Sequence, residues 1–150
     1  MDDGAGGIVE TTVKFPVWFE AKASGGTPMR AALTNAAECL VGWCDAHPES
    51  YPPTLLHVTD GESTDGVPEE IAVHLGQIRT NDGEVLVLNI HVSSLGNEPT
   101  RFPSDESNLP DGYSKMLFRM SSNLPAHLLK FAQEKGHSVN SPLCQTSCRL

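Results

Sequence analysis

The sequence predicts an α/β fold: a parallel sheet flanked by helices. Three observations predict it. Segments with strand character alternate with segments of helical period, in the order strand, helix, strand, helix, strand, helix. Two of the strand segments, residues 53–59 and 85–92, are short and mostly apolar, as strands buried in a parallel sheet are. The first of them stops abruptly at Asp60-Gly61. Asp60 is therefore expected at a strand's carboxyl end, where open α/β sheets hold their ligands.

The elements follow in order. Residues 1–7 are rich in Gly and Asp and read as a flexible N-terminus. Val13, Phe15, Val17 and Phe19 alternate, which is the period of a half-buried strand, and Pro16 within the run points to an edge strand or a bend. Ser24-Gly25-Gly26 is a turn. Thr27 is then a good N-cap, and Pro28 suits the first helical position, where its missing N–H costs nothing. Met29, Leu33, Ala36, Leu40 and Trp43 follow at steps of 4, 3, 4 and 3, one apolar helix face. His47-Pro48 ends that helix, because proline disfavours helical backbone in the residue before it. After the 53–59 strand, residues 62–66 are a polar loop. Residues 68–79 read as a helix with Ile71, Leu75 and Ile78 on its inner side, Asn81-Asp82-Gly83 is a turn, and 85–92 is the second buried strand. Residues 93–111 form a long polar loop with three prolines, suggesting a rim or lid. Residues 113–120 and 125–135 read as helices, with Gly136 as a C-cap. Residues 138–150 are polar and aperiodic, an irregular tail. The domain is accordingly placed at residues 8–137.

Composition bounds the function. The chain has 150 residues, the length of one domain. With 10 basic and 19 acidic residues its net charge is −9. That balance argues against binding nucleic acid or an anionic membrane surface, and it suits a cation or a basic partner. No apolar run is long enough to span a membrane. The acidic start, Met1-Asp2-Asp3, lacks the apolar block of a signal peptide, so the expected compartment is the cytoplasm. The four cysteines, Cys39, Cys44, Cys144 and Cys148, are then expected as reduced thiols.

Two segments carry candidate chemistry. Gly25-Gly26-Thr27-Pro28-Met29 opens a helix, and Thr59-Asp60-Gly61-Glu62-Ser63-Thr64-Asp65-Gly66 follows a buried strand. Both offer hydroxyl and carboxylate oxygens at one end of a sheet, and hard divalent cations take oxygen ligands. Other chemistries fit less well. Cys39, Cys44 and His47 lack zinc-knuckle spacing. The stretch from Asp60 opens like a calcium loop, but Asp65 and Ile71 stand where an EF-hand needs Gly and Glu. Ser63 with His57 or His91 has no Gly-x-Ser-x-Gly elbow, so these read as satisfied core or edge histidines. Gly25-Gly26-Thr27 lacks the Gly-Lys-Ser/Thr of a phosphate loop. Leu128 and Phe131 with Phe118 read as helix core.

Gly25-Gly26-Thr27-Pro28-Met29, the run from His57 to Gly66, and Leu117-Phe118-Arg119-Met120-Ser121-Ser122 together resemble the later part of a von Willebrand factor type A domain, in a bacterial branch of that family. The resemblance spans roughly residues 8–137. It implies a doubly wound, mostly parallel sheet with helices on both faces, incomplete in this chain, and a metal-ion-dependent adhesion site for Mg²⁺ or Mn²⁺. Thr27 matches the family's metal-site Thr and Asp60 its strand-end Asp, with Glu62, Ser63 and Asp65 on the rim. It further implies a non-enzymatic, protein-binding module, whose partner offers an acidic side chain to the metal. The chain departs from the family in having no Asp-x-Ser-x-Ser triplet, and in being too short before Gly25 for the strand and helix that carry it. Its metal site is therefore expected to be incomplete and weak. The alternative expectation is a truncated or split-gene remnant with a structural role or none, whose sheet a second chain completes.

Overall fold

A computed structural model describes residues 20, 25–93, 100–137, 139 and 145–148. Its elements are α1 (Met29–Ala46), β1 (Thr54–Thr59), α2 (Glu69–Leu75), β2 (Arg79–Thr80), β3 (Gly83–Glu84), β4 (Leu86–Val92), α3 (Gly112–Arg119), α4 (Ala126–Glu134) and β5 (Gln145–Cys148). β1, β4 and β5 form a parallel sheet in the order β1-β4-β5, while β2 and β3 pair as a short antiparallel hairpin. Thr54 is in register with Leu86 and Thr59 with His91, so β1 and β4 end together. The result is a small α/β fold around a parallel sheet. The expected strand at residues 13–19 lies outside the described residues.

Strand side chains alternate between faces, and the register sorts them. Leu55, His57 and Thr59 share one face with Val87, Asn89 and His91. This face is covered by α1, α2 and α3, which contribute Met29, Leu33, Cys44, Ala72, Leu75 and Leu117 to a common core with Val85 and Val87. The opposite face carries Leu56, Val58, Leu88 and Ile90. Here α4 packs over Leu88 through Leu128, Leu129 and Ala132, with Leu124, Val139 and Phe102 beside them. Leu56 and Val58 stay 58% and 57% exposed. Among the described residues, the strand at 53–59, expected to be buried, is thus covered on one face only.

Local differences have local causes. α1 starts at Met29 with Pro28 as its N-cap residue, and no side chain of that residue caps it. The capping role expected of Thr27 is taken by Asp65, as described below. The inner face of α1 is Met29, Leu33, Ala37, Leu40 and Cys44, because Cys44 rather than Trp43 points into the core. Trp43 is left at the surface, stacked on His47 with ring centroids 4.6 Å apart. α2 is shorter than expected: Gly76 closes it, and the 79–84 hairpin turns on Asn81-Asp82 before β4 begins. α3 starts from a reciprocal cap, in which Asp111 accepts from the Ser114 N–H at 2.7 Å and the Ser114 hydroxyl accepts from the Asp111 N–H at 3.2 Å. Gly136, at φ +83°, follows α4 as expected. Gln145–Cys148, in the stretch read from sequence as irregular, forms a parallel strand beside β4. No helix among the described residues is long and apolar enough to cross a membrane.

Candidate functional site

The carboxyl end of the sheet is built from two loops that are fastened to each other. Residues 25–28 precede α1 and residues 60–66 follow β1. The Thr64 N–H donates to the Thr27 carbonyl at 2.9 Å. Gly26 lies so close that a Cβ there would stand 2.5 Å from Thr64 Oγ1. Glycine is needed at this crossing because only a bare backbone can approach the threonine side chain.

Asp65 makes the second fastening. Its Oδ1 accepts from the Arg30 N–H at 2.9 Å and its Oδ2 from the Ala31 N–H at 2.8 Å. Those donors belong to the first turn of α1, which has no intrahelical acceptor for them, and the positive end of the helix favours a carboxylate there. The Ser63 hydroxyl donates to Asp65 Oδ1 at 3.1 Å and lies 2.8 Å from the Gly66 carbonyl. Desolvation pulls the Asp65 carboxyl upward. The N–H groups of Ala31 and Arg30 and the Ser63 hydroxyl together outweigh it, so the group sits below the usual carboxylate range.

Asp60 and Gly61 sit where β1 ends. The Thr59 hydroxyl accepts from the Gly61 N–H at 3.1 Å. Gly61 has φ +94°, and a Cβ on it would meet Tyr113 Cβ at 2.5 Å and His91 Nε2 at 3.2 Å. His91 is 1% exposed, and its Nε2 lies 2.9 Å from the Asp60 carbonyl. A carbonyl only accepts, so Nε2 carries the proton. Nδ1 is buried and has no hydrogen-bond partner among the described residues. His91 thus pins the Asp60 backbone from below while the Asp60 side chain stays at the surface.

The structure therefore brings together the loops bearing Thr27, Asp60, Ser63 and Asp65. Thr27 is half-buried, Ser63 is half-buried, and Asp60, Glu62 and Asp65 are exposed. Of the residues expected to hold a cation, Asp60 keeps its carboxylate exposed and Thr27 is half-buried, while both Asp65 oxygens are engaged by α1. No cluster of three or more His, Cys, Asp or Glu able to hold an ion occurs among the described residues. One carboxylate and one hydroxyl fit a hard cation that keeps most of its water, as Mg²⁺ commonly does, and do not make an all-protein cage.

The sequence reading missed His91 and Tyr113 as supports of this rim. The available signal was a histidine placed at the carboxyl end of an otherwise apolar strand. His57, by contrast, is satisfied: its Nδ1 lies 2.8 Å from Asn89 Oδ1, and the Asn89 amide donates to the Leu117 carbonyl at 3.1 Å and the Ser121 hydroxyl at 2.9 Å. Cys44 is a buried thiol whose pKa is raised by burial and by the neighbouring Asp45, the reverse of an activated or metal-binding cysteine. No family model, no curated protein and no solved structure matches this chain.

Proposed function

We propose that the chain is a non-enzymatic protein-binding module whose contact point is the loop rim at the carboxyl end of the parallel sheet, in the manner of a von Willebrand factor type A domain with a partial metal-ion-dependent adhesion site. The observation that carries this reading is the fastening of the 25–28 loop to the 60–66 loop, with Asp60 left exposed at the start of the second. Asp60 and Thr27 are the residues that would hold Mg²⁺ or Mn²⁺. A bound divalent cation would supply the positive charge that an acidic side chain of a partner needs on a surface of net charge −9. Glu62 and Ser63 shape the rim, and Asp65 fixes it by anchoring the loop to α1. His91 and Gly61 hold the Asp60 backbone in place. The finer fold, a doubly wound sheet of that family, belongs to the same reading.

The test is thermal unfolding of the purified chain in EDTA and in MgCl₂ or MnCl₂. A site with millimolar affinity adds about 1 kcal/mol at several times its Kd, which raises the Tm by a few degrees. The rise is expected in the wild type and absent in Asp60→Ala. A wild-type Tm that ignores both ions, or an equal rise in Asp60→Ala, overturns the metal-dependent reading.

A further inference from the structure

A cavity of about 510 Å³ opens at the amino end of β1 and β4, the end opposite Asp60. Its apolar lining includes Leu86 and Leu124, 6% and 7% exposed, and the buried Pro52. Asp82 and Glu84 of the hairpin line it as well, with Tyr51 from the loop before β1 and His127 from α4. We propose that this cavity takes an arginine or lysine side chain carried on an extended segment of a protein partner. The inference does not depend on the Asp60 rim or on a metal there.

Charge selects the occupant. Among the described residues neither Asp82 nor Glu84 has an ion-pair partner, and no Lys or Arg lines the cavity. Two cations lie nearby, and both are placed elsewhere. Arg119 is held between Glu69 and Glu106. Arg79, the cross-strand neighbour of Glu84, lines a different cavity with Asp45 and His74. Two carboxylates without a countercharge, on a chain of net charge −9, attract a cation. The Tyr51 ring adds to this, since an aromatic face attracts an ammonium or guanidinium within about 6 Å. That ring is held edge-on against His127, with centroids 5.8 Å apart and the hydroxyl 3.2 Å from Nε2. Arg and Lys side chains also carry apolar stems, which lie along apolar surface while the charged head stays with its partners. Pro52, Leu86 and Leu124 offer that surface.

The walls are tied in place. The Asn81 N–H donates to the Pro48 carbonyl at 2.7 Å and the Leu86 N–H to the Pro53 carbonyl at 3.1 Å. The Asn81 amide also donates to Glu49. The hairpin is thus fastened to the 48–53 loop on both sides of Asp82 and Glu84, and a preorganised site spares the cost of ordering its walls on binding. A second cavity, of about 390 Å³, shares Glu84, Leu86 and Asn123 with the first. The two form one groove, with room for the residues that flank a basic side chain. A free amine would leave the second part empty, which favours a peptide segment as the occupant.

NMR titration of the full chain tests this. The probe is a capped peptide with one arginine between glycines, and its citrulline counterpart keeps the shape without the charge. The arginine peptide is expected to shift the amides of Gly83, Glu84 and Asn123 saturably and to leave those of 60–66 in place. The citrulline peptide is expected to bind about fivefold more weakly or worse, as for loss of an exposed ion pair. The same weakening is expected for the arginine peptide with the double variant Asp82→Asn, Glu84→Gln. Tyr51→Leu should weaken it about twofold or more, through loss of the ring. All three positions are exposed, and unchanged methyl shifts of Val85 and Leu117 report that the core persists. An arginine peptide that shifts none of these amides overturns the proposal without reference to any variant. So does equal affinity for the two peptides, or unchanged affinity in either folded variant. Saturable binding of methylguanidine with none of the peptide also overturns it, and would assign the cavity to a small organic cation.

Discussion

Gly61 and Asn89 carry more of this molecule than their size suggests. At Gly61 both backbone and space require glycine: its φ is +94° and a Cβ would strike Tyr113. Gly61→Ala is expected to cost at least about 1–2 kcal/mol from the left-handed backbone alone. It should also shift the neighbouring Asp60, which a lowered urea midpoint together with a changed Tyr113 environment by NMR would check. Asn89 is 1% exposed and joins β1 to α3 through His57, Leu117 and Ser121. Removing its amide in Asn89→Ala strands several buried polar groups, and a loss of about 1–3 kcal/mol in urea unfolding is expected. Asp65 introduces a pH dependence. Its carboxyl is lower in the folded chain than when unfolded, so its contribution is complete above the unfolded value of about 3.9 and is lost as the pH falls through the folded value. Acid titration of the Tm should therefore be less steep in Asp65→Asn than in the wild type, from a starting Tm lower by a few degrees. Of these residues only Asp60, Glu62, Ser63 and Asp65, with Thr27, were legible as a group in the sequence. The role of Gly61 was not, because a glycine after a strand is ordinary until its neighbour Tyr113 arrives from 52 positions away.

Among the elements, those with strong local signals were the readable ones. Both apolar strands, the Asn81-Asp82-Gly83 turn and the two C-terminal helices stand within a few residues of where periodicity and turn chemistry place them. α3 carries its own start signal in Asp111 and Ser114. Asp111→Ala should cost about 1 kcal/mol, as loss of an N-cap does, and circular dichroism melts would register it. The inner face of α1 was misread by one residue because Trp43 and Cys44 are adjacent and both apolar. Stacking on His47 gives the larger ring a surface alternative, and the smaller thiol fits the core. The start of α1 was legible to within one residue, but its capping group was not, because Asp65 lies 34–35 residues downstream. β5 had no apolar signature, and only its parallel register with β4 identifies it as a strand. Arg119 ties Glu69 of α2 to Glu106 at 2.8 Å each. Those ion pairs raise the Arg119 pKa but are exposed at the surface, where a pair contributes roughly 0–1 kcal/mol. Arg119→Gln is accordingly expected to leave the Tm within a few degrees of wild type.

At the scale of the whole molecule the sheet is unevenly clothed. Among the described residues, three helices cover one face, and one helix covers part of the other. Alternation within 53–59 points the wrong way, because the more apolar side, Leu56 and Val58, is the exposed one, while Leu55 shares the covered side with His57 and Thr59. Only the placement of α4 over Leu88, away from Leu56 and Val58, separates the two faces. Charge is likewise a property of the whole chain. At −9 the molecule repels itself, so added salt should stabilise it modestly through screening even where no ion binds specifically. A NaCl control of matched ionic strength separates that general effect from a response to Mg²⁺.

The long-range closure between Asp65 and the first turn of α1 bears on the order of folding. A helix normally assembles from neighbours within microseconds. Here the opening turn of α1 gains its carboxylate only after β1 and the bend behind it have been laid down. That contact is therefore expected to be a late arrival, still unmade at the rate-limiting barrier. Substitution of Asp65 should then hasten unfolding and leave the refolding rate nearly untouched. Stopped-flow traces of Asp65→Ala beside the wild type would read this directly as a displaced unfolding limb and a shared refolding limb.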